Sequence, residues 1–285
     1  MLTTKSRPWL VAASAFLLLM SAHAVTAQGN ATLNLRSGTV HTGPLRGWAE
    51  VRFWDGDGNE TFAVGVTSKL GPRWDGTVMF LDMDVAGEDP IVEAVRASAL
   101  QLLALDARWQ MREGEWNVAL NPGLEIVTKD ATGTNTATGD SADWGDAIAT
   151  LGLICEHRNG PWTWVINPKL AFWEGSQVAT NGQVVEGFGT VWGLGLGVRH
   201  QVNDQLQLTA DVTPILSGDN TVNPDTNRME RDVVWGVGAS YLVFPTHNAW
   251  LTVFGSNAFG PTPATSLLAA PDNSICFGTR LTTSF

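Results

Sequence analysis

The sequence predicts an all-β fold: a transmembrane antiparallel up-and-down β-barrel of about twelve strands. Three observations support this fold. Apolar and polar residues alternate through most of the chain after residue 47. The connections between these segments are alternately short and long, and the chain ends on an amphipathic strand. Such alternation turns one face of every strand toward lipid and the other toward the barrel interior.

Residues 1–27 have the features of a secretory signal peptide. Lys5 and Arg7 form a positive start, residues 9–20 are apolar, and small residues then lead to the expected cleavage after Ala27. The apolar run is shorter than the roughly 20 residues that a membrane-spanning helix needs. We therefore expect an exported protein from which this segment is removed.

The composition argues against nucleic acid as a partner. The chain has 17 Lys and Arg against 28 Asp and Glu, a formal net charge of −11. Residues 1–27 hold two cations and no acid, so their removal lowers this charge to −13. An acidic chain repels a phosphate backbone. The 13 tryptophans suit a membrane-interface belt, although a carbohydrate-binding lectin would also use them.

The mature chain divides into two parts. Residues 28–46 are polar and irregular, and they form either a periplasmic tail or a short plug inside the barrel. Residues 47–285 form the barrel. Its strands are predicted at 47–54, 60–70, 75–85, 100–111, 116–126, 146–157, 162–172, 187–200, 206–213, 232–243, 248–258 and 276–285.

The connections between these strands alternate in length. The short ones lie near 71–74, 111–114, 158–161, 200–204 and 244–248. The long, mostly polar ones lie at 86–99, 128–145, 175–186, 217–231 and 259–273. Outer-membrane barrels have short periplasmic turns and long extracellular loops. A secreted sandwich, the rival fold, has no reason to sort its loops in this way.

Two connections have local features of their own. The turn at 55–59 resembles a calcium loop in the spacing of its acids, but a Gly-rich hairpin turn is the expected structure because the loop lacks the EF-hand glycine. Asp89-Pro90 has the form of a helix cap, which predicts about two helical turns over 91–99.

A hairpin unit recurs at a spacing of 46 residues. The Asn-Pro step at 121–122 reappears at 167–168, and Thr213-Pro214 follows after the same interval. Proline cannot donate a ladder hydrogen bond, so we expect a bulge or a break where each strand leaves the membrane. Strand 187–200 alternates large residues with glycines, which leaves space in the interior for bulky side chains or a pore.

Charged residues recur on the faces predicted to point inward. Strand 75–85 is expected to turn Met79 and Leu81 outward with Asp82 and Asp84 inward. The candidate lumen and selectivity residues are Glu50, Arg52, Asp82, Asp84, Asp106, Arg108, Glu125, Glu156, Arg158, Lys169, Arg199, Asp211 and Arg280. They either line a narrow aqueous path and set its selectivity, or form salt bridges that only hold the barrel together.

Aromatic residues mark the expected membrane interfaces, and no cofactor or metal site is expected. The interface candidates are Trp109, Trp116, Trp162, Trp164, Trp235 and Phe285. His157, His200 and His247 all fall at short turns on separate strands, so we expect them to be solvated at the rim. Cys155 and Cys276 fall on opposite faces, which predicts free thiols.

The last ten residues, C-F-G-T-R-L-T-T-S-F, alternate to a terminal Phe285. They resemble the final strand of outer-membrane β-barrels, which the barrel-assembly machinery recognises. The whole pattern resembles porin-like and transporter-like barrels, including those grouped with aromatic-compound degradation operons. The resemblance implies a location in the cell outer membrane, with lipid and lipopolysaccharide as surroundings.

The function expected from this pattern is a channel or porin-like facilitator for passive diffusion of small solutes. One alternative is a closed barrel whose acidic loops serve adhesion or envelope integrity, bridging lipopolysaccharide through divalent cations. The other is an outer-membrane lipid-modifying enzyme. We expect no enzyme activity, because no His-x-Ser or comparable signature accompanies the rim histidines.

Overall fold

The computed structural model describes residues 32–39, 45–54, 60–84, 100–129, 147–173, 177–180, 183–223, 225–226, 228–270 and 274–284. The predictions for the signal peptide, the turn at 55–59, the helix at 91–99 and Phe285 lie outside these residues. Within them, no helix is long and apolar enough to cross a membrane.

Seventeen strands run through the described residues, twelve of them close to the positions that alternation predicts and five short ones that were not predicted. They are β1 Leu45–Trp54, β2 Glu60–Gly71, β3 Trp74–Asp84, β4 Leu100–Arg112, β5 Trp116–Lys129, β6 Ala147–Asn159, β7 Trp162–Trp173, β8 Gln177–Thr180, β9 Gln183–Glu186, β10 Gly189–Asn203, β11 Leu206–Thr213, β12 Ile215–Ser217, β13 Thr221–Asn223, β14 Arg228–Glu230, β15 Val234–Phe244, β16 Ala249–Ser256 and β17 Cys276–Ser284. Two 3-10 turns, Pro245–His247 and Thr265–Leu267, follow β15 and β16.

The main sheet closes on itself. Each barrel strand pairs antiparallel with its neighbours along the chain, and β1 pairs with both β2 and β17. β12 continues β11 beyond Pro214, and both pair with β10. The described residues therefore form a closed barrel of twelve strands, as predicted, with β8–β9 and β13–β14 as separate two-stranded ribbons. Closure leaves no open sheet edge.

The two rims of the barrel differ. Tight connections such as 72–73, 160–161 and 204–205 lie at one end, which we call the short-turn rim. The start of β1 and the end of β17 lie at the same rim. The longer connections, including 218–233 and 257–275, lie at the opposite, long-loop rim.

The outward face is apolar and ends in aromatic side chains. Near the short-turn rim, Trp74 stacks on Trp109 at a ring-centroid distance of 5.6 Å, and Trp162 stacks on Trp164 at 5.9 Å. Trp116 lies near the same rim, by sequence position in β5. Trp235, Phe53, Phe172, Trp192 and Phe277 mark the opposite end. An apolar band between two aromatic sets is the outer surface of a barrel in lipid.

The facing predicted for strand β3 is wrong. Met79 and Leu81 are buried in the interior at 1% and 0% exposure, whereas Val78 is half exposed on the outer face. Asp82 shares that outer face, where its Oδ1 accepts a hydrogen bond of 3.3 Å from Gln101 Nε2. The side chain of Asp84 lies outside the described residues. At Met79 and Leu81 the inner face of β3 is apolar because it packs in one buried cluster with Phe259, Leu267 and Leu268.

The prolines of the repeated unit lie within strands, not where strands leave the barrel as predicted. Pro122 and Pro168 are inside β5 and β7. The side-chain amide of Asn121 donates to Ala107 O at 2.8 Å, and that of Asn167 donates to Leu153 O at 3.0 Å. Each asparagine thus supplies the donor that the following proline lacks. Only at Pro214 does the strand break, between β11 and β12.

A pair of variants tests whether the asparagine side chain replaces the hydrogen bond that the proline cannot make. We expect Asn167→Ala to lower the free energy of unfolding by about 1–3 kcal/mol, the cost of a buried carbonyl left without its donor. Adding Pro168→Ala restores a backbone N–H facing Leu153 O and should recover most of the loss. Denaturant unfolding of the refolded protein in detergent measures both. A double variant as unstable as the single one would contradict the explanation.

Candidate functional site

Two chain segments enter the barrel interior. Residues 32–39, the inner segment, precede β1, and residues 257–270, the inner loop, connect β16 toward β17. Most of their residues are buried, including Leu35 and Leu267 at 0% exposure. A barrel of about eight strands is filled by its own side chains, whereas wider ones enclose a lumen. Here the lumen is occupied by the chain itself.

Acidic residues of the wall hold the inner segment through hydrogen bonds. Asp211 accepts the backbone N–H of Asn34 at 3.0 Å and its side-chain amide at 2.8 Å. Asp106 pairs with Arg36 at 2.6 Å. These contacts join residues up to 177 positions apart in the chain.

Glu156 is the most heavily used of these acids. It accepts the hydroxyls of Ser37 at 2.5 Å and Thr39 at 3.1 Å, and the backbone N–H of Gly38 at 3.0 Å. Arg158 donates to the same carboxylate at 2.8 Å. Since Glu156 is fully buried, removal of these donors would leave an uncompensated charge inside the barrel.

Arginines bind the carbonyl groups of the inner segment. Arg108 donates to Ser37 O at 2.7 Å and is held by a two-pronged pair with Asp75. Arg280 donates to Leu33 O at 3.1 Å, and its Nε donates to Glu50 at 2.5 Å. The segment therefore lies between acids that accept its N–H and O–H groups and cations that donate to its carbonyls.

The glycine face of β10 receives leucines from both inserted segments. A Cβ atom on Gly195 would lie 2.5 Å from Leu35 Cδ2, and one on Gly197 would lie 2.8 Å from Leu35 Cδ1. A Cβ on Gly193 would lie 2.7 Å from Leu267 Cδ2. Of the two uses predicted for these glycines, a pore or room for bulky side chains, the structure shows the second.

The inner loop is held by three other charged residues of the wall. Glu125 accepts the hydroxyl of Thr262 and the backbone N–H of Ala264, both at 2.6 Å. Lys169 donates to Ser266 Oγ at 3.0 Å. Arg52 donates to Ala258 O at 2.5 Å while pairing with Glu50 at 2.6 Å.

An apolar core surrounds the inner loop at the long-loop end. Phe259, Leu267 and Leu268 of the loop join a buried cluster that includes Leu81 of β3 and Trp173 of β7. This packing explains why apolar residues point inward there. The interior thus has two halves, an apolar one around the inner loop and a polar one around the inner segment.

The structure places nearly all the predicted lumen residues on the inner face. Those buried or lining the interior are Glu50, Arg52, Asp106, Arg108, Glu125, Glu156, Arg158, Lys169, Arg199, Asp211 and Arg280. Asp82 is outside this set. Three interior charges were missed by the sequence analysis: Arg36 in the irregular tail, Arg46 just before the predicted start of β1, and Asp75, whose strand was assigned the reverse facing.

A polar cavity of about 70 Å³ remains at the short-turn end. The charged side chains that line it are Arg46, Arg199 and Arg280, beside Trp48 and Trp250. A smaller space of about 20 Å³ lies deeper, between the inner segment and the inner loop.

The described histidines lie on the outer face, whereas the buried thiol of Cys276 contacts Arg52 in the interior. His157 lies against Trp116 and His200 against Trp162, at ring-centroid distances of 4.9 and 4.1 Å. Among the described residues, no group of three or more His, Cys, Asp or Glu side chains is placed to hold a metal ion. Cys155 is partly exposed on the outer face and Cys276 is buried, and both are free thiols, as predicted.

Two matched variants should release the two inserted segments separately. In Glu156→Gln the amide nitrogen faces groups that already donate, so we expect faster hydrogen exchange in peptides from 32–39 and no change in those from 257–270. Glu125→Gln should have the opposite effect. We expect the affected amides to exchange roughly tenfold faster, the ratio that loss of one hydrogen bond to a charged group predicts. If either variant changed the exchange rates of both segments equally, the view that Glu156 and Glu125 each hold one segment would be contradicted.

The comparisons with known proteins agree at the level of fold. No protein-family model matches the chain, and no protein of curated function matches its sequence. Among solved structures, the COG4313 outer membrane channel from Pseudomonas putida F1 has a TM-score of 0.52 at 11% identity, over 92% of this chain and 100% of that one. The NanC porin has a TM-score of 0.54 at 8% identity, over 84% and 98%. The chain has the fold of outer-membrane β-barrels, which confirms the predicted resemblance.

Proposed function

We propose that this protein is an outer-membrane channel for passive diffusion of small solutes, narrowed by the inner segment and the inner loop. The observation that carries the proposal is the polar half of the interior. There the wall presents charged, hydroxyl and amide side chains around a cavity that reaches the short-turn end. Side chains of these types line aqueous paths through barrels.

The outer surface supports the membrane location. Exposed apolar side chains such as Val78, Val237 and Val253 lie between the two aromatic sets. Lipid and lipopolysaccharide are the surroundings that suit this band, with the short-turn rim in the periplasm. Recognition of the last strand by the barrel-assembly machinery and removal of residues 1–27 are parts of the same proposal.

A channel fits the polar half better than a closed structural barrel does. The inner segment is held mainly by hydrogen bonds to charged wall residues, each worth about 1.5–3 kcal/mol, and water can take over these hydrogen bonds when the segment moves. Two of the solved structures with this fold are named as a channel and a porin. The absence of enzyme activity stays a prediction, and the two histidines whose side chains are described face outward.

Single-channel recording in a planar bilayer tests the proposal. We expect small discrete currents from the refolded protein and several-fold larger ones from the double variant Glu156→Gln with Asp211→Asn, because loss of both acids frees the inner segment. Asp204→Asn, which removes one negative charge from an exposed turn, is the control and should leave the conductance unchanged. Complete silence of both folded proteins would contradict a channel and favour the closed-barrel alternative.

A further inference from the structure

The cavity at the short-turn end is not filled by either inserted segment. The inner segment reaches it only through Thr32 and Leu33. The barrel wall supplies the remaining lining residues, Arg46, Trp48, Arg199, Gln207, Thr209, Ser240, Trp250, Thr252, Arg280 and Thr282. The cavity volume is about 70 Å³. A single water molecule needs about 10–15 Å³ on the same scale, so the cavity has room for a small solute.

The described lining of this cavity has three guanidinium groups and no acid. Among the arginines of the lining, Arg280 pairs with an acid, Glu50. Glu50 also pairs with Arg52, so its single negative charge is shared between two cations. The second wall acid at this end, Glu156, is occupied by Arg158 and the inner segment. The lining therefore has an excess of positive charge.

Arg46 has the most cationic surroundings of the three arginines. Arg36, Arg108 and Arg280 all repel its charge, and the acid that attracts it, Asp75, is also paired with Arg108. Arg199 donates to Thr163 Oγ1 at 3.3 Å and lies between the opposing fields of Glu156 and Arg158. An anion in the cavity would relieve the mutual repulsion of these cations.

The remaining lining residues favour an anion with a small apolar body. Ser240 and Thr252 are hydrogen-bonded to each other at 2.8 Å, and their hydroxyls add polar groups beside the arginines. Trp48 and Trp250 give apolar walls, and the guanidinium of Arg280 lies 5.6 Å from the centre of the Trp48 ring. Arginine forks match the two oxygens of a carboxylate.

We propose that this cavity is a binding site for small organic carboxylates, in which Arg46 and Arg199 bind the carboxylate and the two tryptophans contact its apolar part. Its consequence for transport, a preference of the path for anions, rests on the proposed channel. The sign is notable because the whole chain has a net charge of −11, which by itself favours cations at the acidic loops.

Binding is tested without any current. Benzoate and its neutral counterpart benzamide are dialysed to equilibrium against the refolded full chain in detergent. We expect benzoate to bind more tightly than benzamide, and Arg46→Gln with Arg199→Gln to weaken benzoate binding by roughly tenfold for each arginine, the ratio for one lost charge-assisted hydrogen bond. Arg73→Gln removes a charge from an exposed turn at the same rim and should change nothing.

Selectivity is read from the reversal potential of the channel in a KCl gradient. We expect an anion preference that the double arginine variant lowers and Arg73→Gln keeps. Because Arg46 is buried, Arg199→Gln alone, at a half-buried site, serves if the double variant does not fold. If the folded protein binds benzoate but gives no current, the binding site is supported and the proposed channel function is contradicted. Currents with equal binding of benzoate and benzamide would overturn the site and uphold the channel.

Discussion

Closure of twelve strands into one sheet determines much of the interior. Pairing of β17 with β1 satisfies the backbone groups of both edges, which a barrel in lipid requires. The same closure produces a lumen wider than the side chains of eight strands would fill. That space must hold water, a ligand or more of the chain, and here two segments of the chain enter it from opposite rims.

The two inserted segments are stabilised by different forces. The inner loop buries Phe259, Leu267 and Leu268 against wall residues, and exposure of each such side chain to water costs about 1.5–3 kcal/mol. The inner segment buries Leu33 and Leu35, but most of its contacts are hydrogen bonds to charged wall residues such as Asp211 and Glu156, each worth about 1.5–3 kcal/mol. The hydrogen bonds of the inner segment can be exchanged for hydrogen bonds to water, whereas the apolar contacts of the inner loop cannot.

Alternation was sufficient to predict the barrel strands, because the period of two is imposed by the backbone itself. It could not predict the facing of β3, where Met79 and Leu81 are as apolar as Val78 and Phe80 on the other face. Where β3 packs on the inner loop, its inner face is as apolar as its outer face. The contact of Leu81 with that loop depends on residues nearly 180 positions later in the chain, which local pattern does not contain.

In the polar interior, the sequence pattern identified the charged residues but could not decide their role. Alternation identified Glu156 and Asp211 as inward-facing acids, but two roles were open for them, an aqueous path or an internal salt bridge. Their partners turned out to be Ser37, Gly38 and Asn34, from a stretch without periodicity. With these acids engaged by the inner segment, the lining of the cavity at the short-turn end contains three arginines and no acid. A lumen whose candidate charges are almost equal in number can therefore have a cationic mouth, because pairing, not the count of charges, decides the local potential.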